Sequence, residues 1–152
     1  MQIYPSMSPL QLGGKQGSAV ALGYFDGIHI GHRTVICGAV DWAQAHGAAA
    51  ALFTFKLPGG SKIKGRRLYS VEEKRRIVAG LGVEHYLVPT FADIMSMTPE
   101  QFVRGLVADC HARAFFCGEN FTFGARAAGD PALLQKLCQP LGVEVHLSLI
   151  NI

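Results

Sequence analysis

One segment, Leu22-Gly23-Tyr24-Phe25-Asp26-Gly27-Ile28-His29-Ile30-Gly31-His32, constrains this chain more than any other. An apolar, strand-like run from Ser18 to Tyr24 leads in, and a helix-like run follows from His32 to His46. The two histidines stand three positions apart, so on the first turn of a helix they share a face. Gly31 has no side chain, which lets a ligand approach the backbone. A helix N-terminus adds free N–H groups and a partial positive charge. Together these features predict a small, donor-rich pocket suited to phosphate.

The rest of the chain repeats the alternation of strand and helix. Ala48 to Phe55 is a continuous apolar run, as a buried parallel strand requires. Ser70-Val71-Glu72-Glu73 reads as a capping box opening a helix to about Leu81, stopped by Gly82. His85 to Val88 is a short third strand. Thr98-Pro99-Glu100-Gln101 starts a helix that runs to about His111, with proline at its first position. Ala114 to Cys117 is a fourth strand, Asp130-Pro131 caps a helix through Cys138, and Val143 to Ile150 is a fifth strand. The expected fold is α/β, a five-stranded parallel sheet with helices on both faces. Ligands of such sheets bind beyond the carboxyl ends of the strands, near the switch in strand order. The histidine segment follows the first of these strands.

Length and composition fit one domain spanning residues 1–152, because 49% apolar and 16% charged residues allow a sizeable core. A net charge of +3 suits an anionic small molecule and does not by itself imply nucleic acid. No apolar run approaches the roughly 20 residues that span a bilayer. Cys37, Cys110, Cys117 and Cys138 form no Cys-x-x-Cys pair, and no secretory-signal pattern opens the chain. The expectation is reduced, mostly buried thiols, a cytoplasmic protein, and no nucleic-acid or membrane partner.

Competing motifs fail on spacing. Gly23, Gly27 and Gly31 are four apart and do not make Gly-x-Gly-x-x-Gly. Gly60 to Gly65 has the Walker A interval, but Arg66 and Arg67 follow in place of Lys and Ser or Thr. Two histidines are too few for a zinc site, and no third ligand has suggestive spacing. The loop from Lys56 to Arg67 carries Lys56, Lys62, Lys64, Arg66 and Arg67 with no acidic residue. It reads as a solvated loop or as a flap that steers anions. His46, His85, His111 and His146 lie near element ends without evident partners and receive no role.

A second constellation follows the fourth strand: Cys117-Gly118-Glu119-Asn120-Phe121-Thr122-Phe123-Gly124, then Ala128-Gly129-Asp130. It belongs to the same sheet edge as the histidines. Asn120 is placed to contact a phosphate or a metal-bound water. Phe121 and Phe123 alternate, so one faces the core and the other a planar ligand, unless both are core.

The His-x-Gly-His pattern after Gly-x-Phe-Asp-Gly resembles the signature of the nucleotidylyltransferase superfamily. With Leu68 to Lys74 as Leu-x-Ser-x-Glu-Glu-Lys, Thr98-Pro99-Glu100-Gln101-Phe102-Val103, Gly-Glu-Asn-Phe-Thr-Phe-Gly and Gly-Asp, the match narrows. From about Gly23 to Asp130 the chain looks like the FMN adenylyltransferase module of bacterial bifunctional riboflavin kinase/FAD synthetases. The resemblance implies a Rossmann-like fold of the HxGH type. It implies ATP and FMN as substrates, Mg²⁺ carried on the ATP phosphates, and FAD and pyrophosphate as products. By the same analogy His29, His32 and Asn120 are the catalytic residues. Gly23, Phe25, His29, Gly31 and His32 form the ATP site, and Phe123 with Asn120 contacts the flavin.

Three departures from the family pattern set further expectations. The family carries a Pro-His-Pro element after the second strand, where this chain has Phe55-Lys56-Leu57-Pro58-Gly59-Gly60. It also carries a Ser-Ser-Thr-Arg-type motif shortly after the fifth strand and then a riboflavin kinase domain. This sequence stops at Ile152. The expectation is an incomplete adenylyltransferase module with reduced or lost activity and no kinase domain. The alternatives left open are an inactive flavin- or nucleotide-binding module and a nucleotidylyltransferase acting on another small phosphate.

Overall fold

The computed structural model describes residues 1–25, 30–55 and 71–148. Along the chain run β1 (Gln2–Tyr4), β2 (Ser18–Leu22), α1 (Ile30–His46), β3 (Ala49–Phe53), α2 (Val71–Gly80) and β4 (His85–Leu87). Then come α3 (Phe91–Ile94), α4 (Pro99–Cys110), β5 (Ala112–Gly118), α5 (Pro131–Cys138) and β6 (Glu144–Ser148). The strands form one parallel sheet in the order β1-β4-β3-β2-β5-β6.

The α/β class and the parallel sheet match the sequence reading, but the sheet has six strands, not five. The extra strand is β1, whose Gln2, Ile3 and Tyr4 pair with His85, Tyr86 and Leu87 of β4. It is short, at the edge and largely exposed, so no apolar run announces it. The short helix α3 was also not expected. The observed strands β2 and β3 end two residues before the predicted limits, and β5 begins two residues before its predicted start. His29, the basic loop from Lys56 to Arg67, the Ser70 cap and the last residues of the predicted fifth strand lie outside the described residues.

The central strands are buried on both faces, and their alternating side chains split the core into two layers. Ala19, Ala21, Ala50, Leu52 and Ala114 meet Val35, Ile36, Ala39, Val40 and Ala43 of α1. This layer is rich in alanine, so α1 lies close to the sheet. On the other face Val20, Leu22, Phe53 and Phe115 meet Phe102, Val103 and Leu106 of α4. The layers keep their identity across a bulge. Ser18 pairs with Ala112 but Ala19 pairs with Ala114, which leaves Arg113 as an extra residue. Its guanidinium donates to the carbonyls of Gln16 and His46, at 3.0 and 3.2 Å, and lies over the Trp42 ring.

Helix ends follow local chemistry. Thr98 and Gln101 form a reciprocal capping box on α4, with both hydrogen bonds near 3 Å (3.1 and 3.0 Å). Asp130 accepts from the Leu133 N–H at 2.8 Å and caps α5. Gly82 turns the chain after α2 with φ +108°, a conformation closed to most side chains.

Three of the four histidines outside the main motif, His46, His85 and His146, do have partners, contrary to the sequence reading. His85 Nδ1 lies 3.0 Å from the Tyr4 hydroxyl. His46 stacks on Trp42 with ring centroids 3.8 Å apart, and His146 stacks on Phe116 at 4.5 Å. The Trp42–His46 pair has the i, i+4 spacing of one helix face, whereas the contacts of His85 and His146 join separate strands and could not be read from spacing. The cysteines are free thiols, with Cys110, Cys117 and Cys138 buried. No helix among the described residues is long and apolar enough to cross a membrane.

Candidate active site

Strand order reverses beside β2. The chain adds β3 and β4 on one side of it, then crosses to place β5 on the other. The carboxyl ends of β2 and β5 therefore open onto a common crevice, the position a doubly wound sheet offers a ligand. Gly23 and Gly118 stand at those two ends, and both line one hollow.

That hollow has a volume of about 210 Å³. Gly23 donates its N–H to the Phe53 carbonyl, and the Phe25 ring folds back over it. A Cβ at Gly23 would stand 2.8 Å from that ring, so any larger residue there would push the ring aside. Phe25 is buried and meets the His32 imidazole edge to face, with centroids 5.3 Å apart and planes at 88°. His32 sits in the first turn of α1, where the backbone N–H groups point out of the helix end. Across the hollow, the turn after β5 is held by Glu119 N–H to Ser148 O and Phe121 N–H to Gly118 O. It brings Asn120 and Thr122 to the rim.

A second hollow of about 540 Å³ adjoins the first, and Phe55, Phe121 and Thr122 line both. Its walls are mostly aromatic. Phe55 stacks on Tyr24 at 5.1 Å and leans on Phe91 of α3 at 5.5 Å. Phe53, Phe102, Phe123 and Phe121 form a second chain of ring contacts, each between 5.2 and 5.7 Å. Gly129 backs Phe123. It exchanges two backbone hydrogen bonds with Phe123, and any Cβ there would collide with the Phe123 ring at 2.6 Å.

The structure thus brings Gly23, Phe25, His32 and Asn120 of the sequence-predicted residues to one hollow. Gly31 lies in the first turn of α1. Phe123 is a buried floor residue of the larger hollow, while Phe121 is half-buried between the two. His29 falls outside the described residues. Sequence reasoning missed Tyr24, Phe55, Phe91, Met95 and Arg126. Phe53, the last residue of β3, and Phe55 just beyond it did carry a signal: two apart in extended chain, they reach the same face. The same holds for Phe121 and Phe123, which stack on each other and both line the larger hollow, against the expectation that one faces the core and the other a ligand.

Two polar details bear on chemistry. Burial, with Cys138 nearby, pushes the Cys117 thiol at the end of β5 up to about 12, so it stays protonated and is no nucleophile. The Thr54 hydroxyl, just past the end of β3, is buried without a hydrogen-bond partner among the described residues. Among the described residues no group of three or more His, Cys, Asp or Glu is arranged to hold a metal ion.

The sequence pattern of the FAD synthetase family matches residues 13–148. The chain belongs to the FAD synthetase family. A relative in Geobacillus thermodenitrificans, named as a bifunctional riboflavin kinase/FMN adenylyltransferase, is 34% identical over 122 residues. The match covers 79% of this chain and 68% of that protein. FAD synthetase 1 of Arabidopsis thaliana, a chloroplast protein, is 29% identical over 154 residues, covering 95% of this chain and 42% of its own. The chain thus spans from under half to about two thirds of these relatives. Among solved structures, one described as a macrolide-efflux protein from Streptococcus pneumoniae superposes with a TM-score of 0.76 at 23% identity. It covers 97% of this chain and 58% of that one, and it shows the shared fold alone.

Proposed function

We propose that this member of the FAD synthetase family transfers the adenylyl group of ATP to FMN, giving FAD and pyrophosphate. The observation that carries this reading is the continuity of the two hollows. The more polar of the two, at the first turn of a helix, suits phosphates, and the aromatic one beside it suits a flavin ring. Phe55, Phe121 and Thr122, common to both, mark where the two substrates would meet.

In this reading an FMN phosphate oxygen attacks the α-phosphorus of ATP in line. The bond from the α-phosphorus to the bridging oxygen breaks, and pyrophosphate leaves with those electrons. No protein nucleophile is required, so the chain contributes position and charge stabilisation. His32 and the first-turn N–H groups of α1 donate to the phosphate oxygens as negative charge grows on them. Gly23 and Phe25 border the nucleotide. His29 and Gly31 join the phosphate site by their place in the motif. Asn120 touches phosphate or a magnesium-bound water, and Phe123 backs the flavin.

No carboxylate is among the described residues that line the smaller hollow. That suits a magnesium ion that arrives on the triphosphate better than one resident on the protein. When bound, that ion neutralises phosphate charge. A site using ATP and FMN, in a chain whose cysteines are free thiols, belongs in the cytoplasm.

Incubation with FMN and ATP labelled at the α-phosphate tests the reading. The expected result is label in FAD and equimolar pyrophosphate. Binding of both ligands with no FAD formed would point instead to an inactive binding module. Pyrophosphate release only with another phosphate acceptor would reassign the substrate.

A further inference from the structure

The turn from Gly124 to Ala127 is strained, and it faces the larger hollow. Arg126 has φ 56° and ψ 28°, and Ala127 has φ 53°. Both are in the left-handed region, where a Cβ crowds the backbone and glycine or asparagine is the usual occupant. An exposed loop tip relaxes out of such a conformation unless its surroundings fix it. Here they do. Phe123 and Gly129 clip the loop with two backbone hydrogen bonds, at 3.2 and 2.8 Å. The Ala125 N–H donates to the Met97 carbonyl at 2.6 Å. Gly124 is wedged on Pro99, where an added Cβ would come within 2.9 Å of the proline ring.

The strained turn carries Arg126 to the lining of the larger hollow, where it is the one charged side chain among the described lining residues. Its neighbours there are phenylalanine rings, Ile94 and Met95. Met95 remains 53% exposed at this wall, an apolar surface that a ligand would cover. Arg126 lines the larger hollow and not the phosphate hollow. Its charge is therefore set apart from the place where phosphates would meet.

An aromatic hollow with a single cation on its wall fits a flat ring system that is apolar along one edge and rich in acceptors along the other. The isoalloxazine ring is built this way. Its dimethylbenzene edge is apolar, and its pyrimidine edge carries N1 and the C2 carbonyl side by side. A guanidinium presents planar, paired donors that match such a pair of acceptors. We propose that Arg126 is a specificity-determining flavin contact, donating paired hydrogen bonds to the N1 and C2 carbonyl edge of FMN. The backbone strain at Arg126 and Ala127 aims it there. The assignment rests on reading the larger hollow as the flavin subsite.

Calorimetric titration with FMN, 2-thio-FMN and ATP tests it on the wild type, Arg126→Gly and Arg126→Lys. Sulfur at C2 is the weaker acceptor, so the wild type should prefer FMN. Arg126→Gly should weaken FMN binding about 10-fold or more, the scale of a hydrogen bond to a charged group. It should also lose the preference over 2-thio-FMN and leave ATP binding unchanged. Arg126→Lys, which keeps the charge but not the paired donors, should recover only part of the loss. Glycine relieves the left-handed strain, so Arg126→Gly should melt no lower than the wild type. Unchanged FMN affinity, a retained preference for FMN, or a lower melting temperature in Arg126→Gly would overturn the assignment. A wild type that binds ATP but no flavin would overturn the flavin subsite along with it.

Discussion

At the scale of single residues, local environment decides what each histidine does. His32 is held edge-on against Phe25 at the mouth of the smaller hollow, and Gly23 makes room for that ring. His85 works differently. It is buried in β4 beside the Tyr4 hydroxyl, at the strand end away from the site. Burial holds its pKa below the ordinary 6.5, against the opposing pull of Glu84. The unfolded chain therefore binds a proton there more readily than the folded one. The stability this residue contributes is fully present above the ordinary value and is lost as pH falls from there through the lowered folded value. The melting temperature should drop more between pH 7.5 and 5.5 in the wild type than in His85→Gln. Equal slopes would show that His85 does not carry the effect.

At the scale of elements, legibility in the sequence tracks how local the determining interactions are. The helix α4 was readable because Thr98, Pro99 and Gln101 fix its start among themselves. Asp130 and Pro131 do the same for α5. Thr98→Ala should destabilise the fold by about 1 kcal/mol and lower the melting temperature by about 2–4 °C. Added to Gln101→Ala, it should cost less than the sum, since each change already breaks the box; additive losses measured by thermal unfolding would contradict that. The strand β1 was not readable, because Gln2, Ile3 and Tyr4 become a strand only by pairing with β4. The bulge at Arg113 is likewise a tertiary feature, fixed by carbonyls of Gln16 before β2 and of His46 at the end of α1. Left-handed Arg126 and Ala127 break the usual preference for glycine, so their conformation could not be anticipated.

At the scale of the whole molecule, the sheet order does the assembling. Parallel strands with a reversal beside β2 bring the segments after β2 and β5 together, though nearly a hundred residues separate Gly23 from Asn120. That much followed from the alternation of elements and the rule for such sheets. The aromatic hollow did not, because four separate segments build it: Phe53 and Phe55, the short helix α3 with Met95, Phe102 of α4, and the stretch from Phe121 to Ala127. The central claim is that two adjoining hollows divide the labour, with phosphates in one and flavin in the other. Calorimetric affinities for ATP and FMN in the wild type, His32→Ala and Phe91→Ala test it most directly. Phe91 is suited to this because it lines only the larger hollow and is partly exposed. The predicted result is a crossed pattern, about 10-fold weaker ATP binding in His32→Ala with FMN nearly unchanged, and the reverse in Phe91→Ala. Parallel losses of both ligands in both variants, with the fold intact by circular dichroism, would contradict the account.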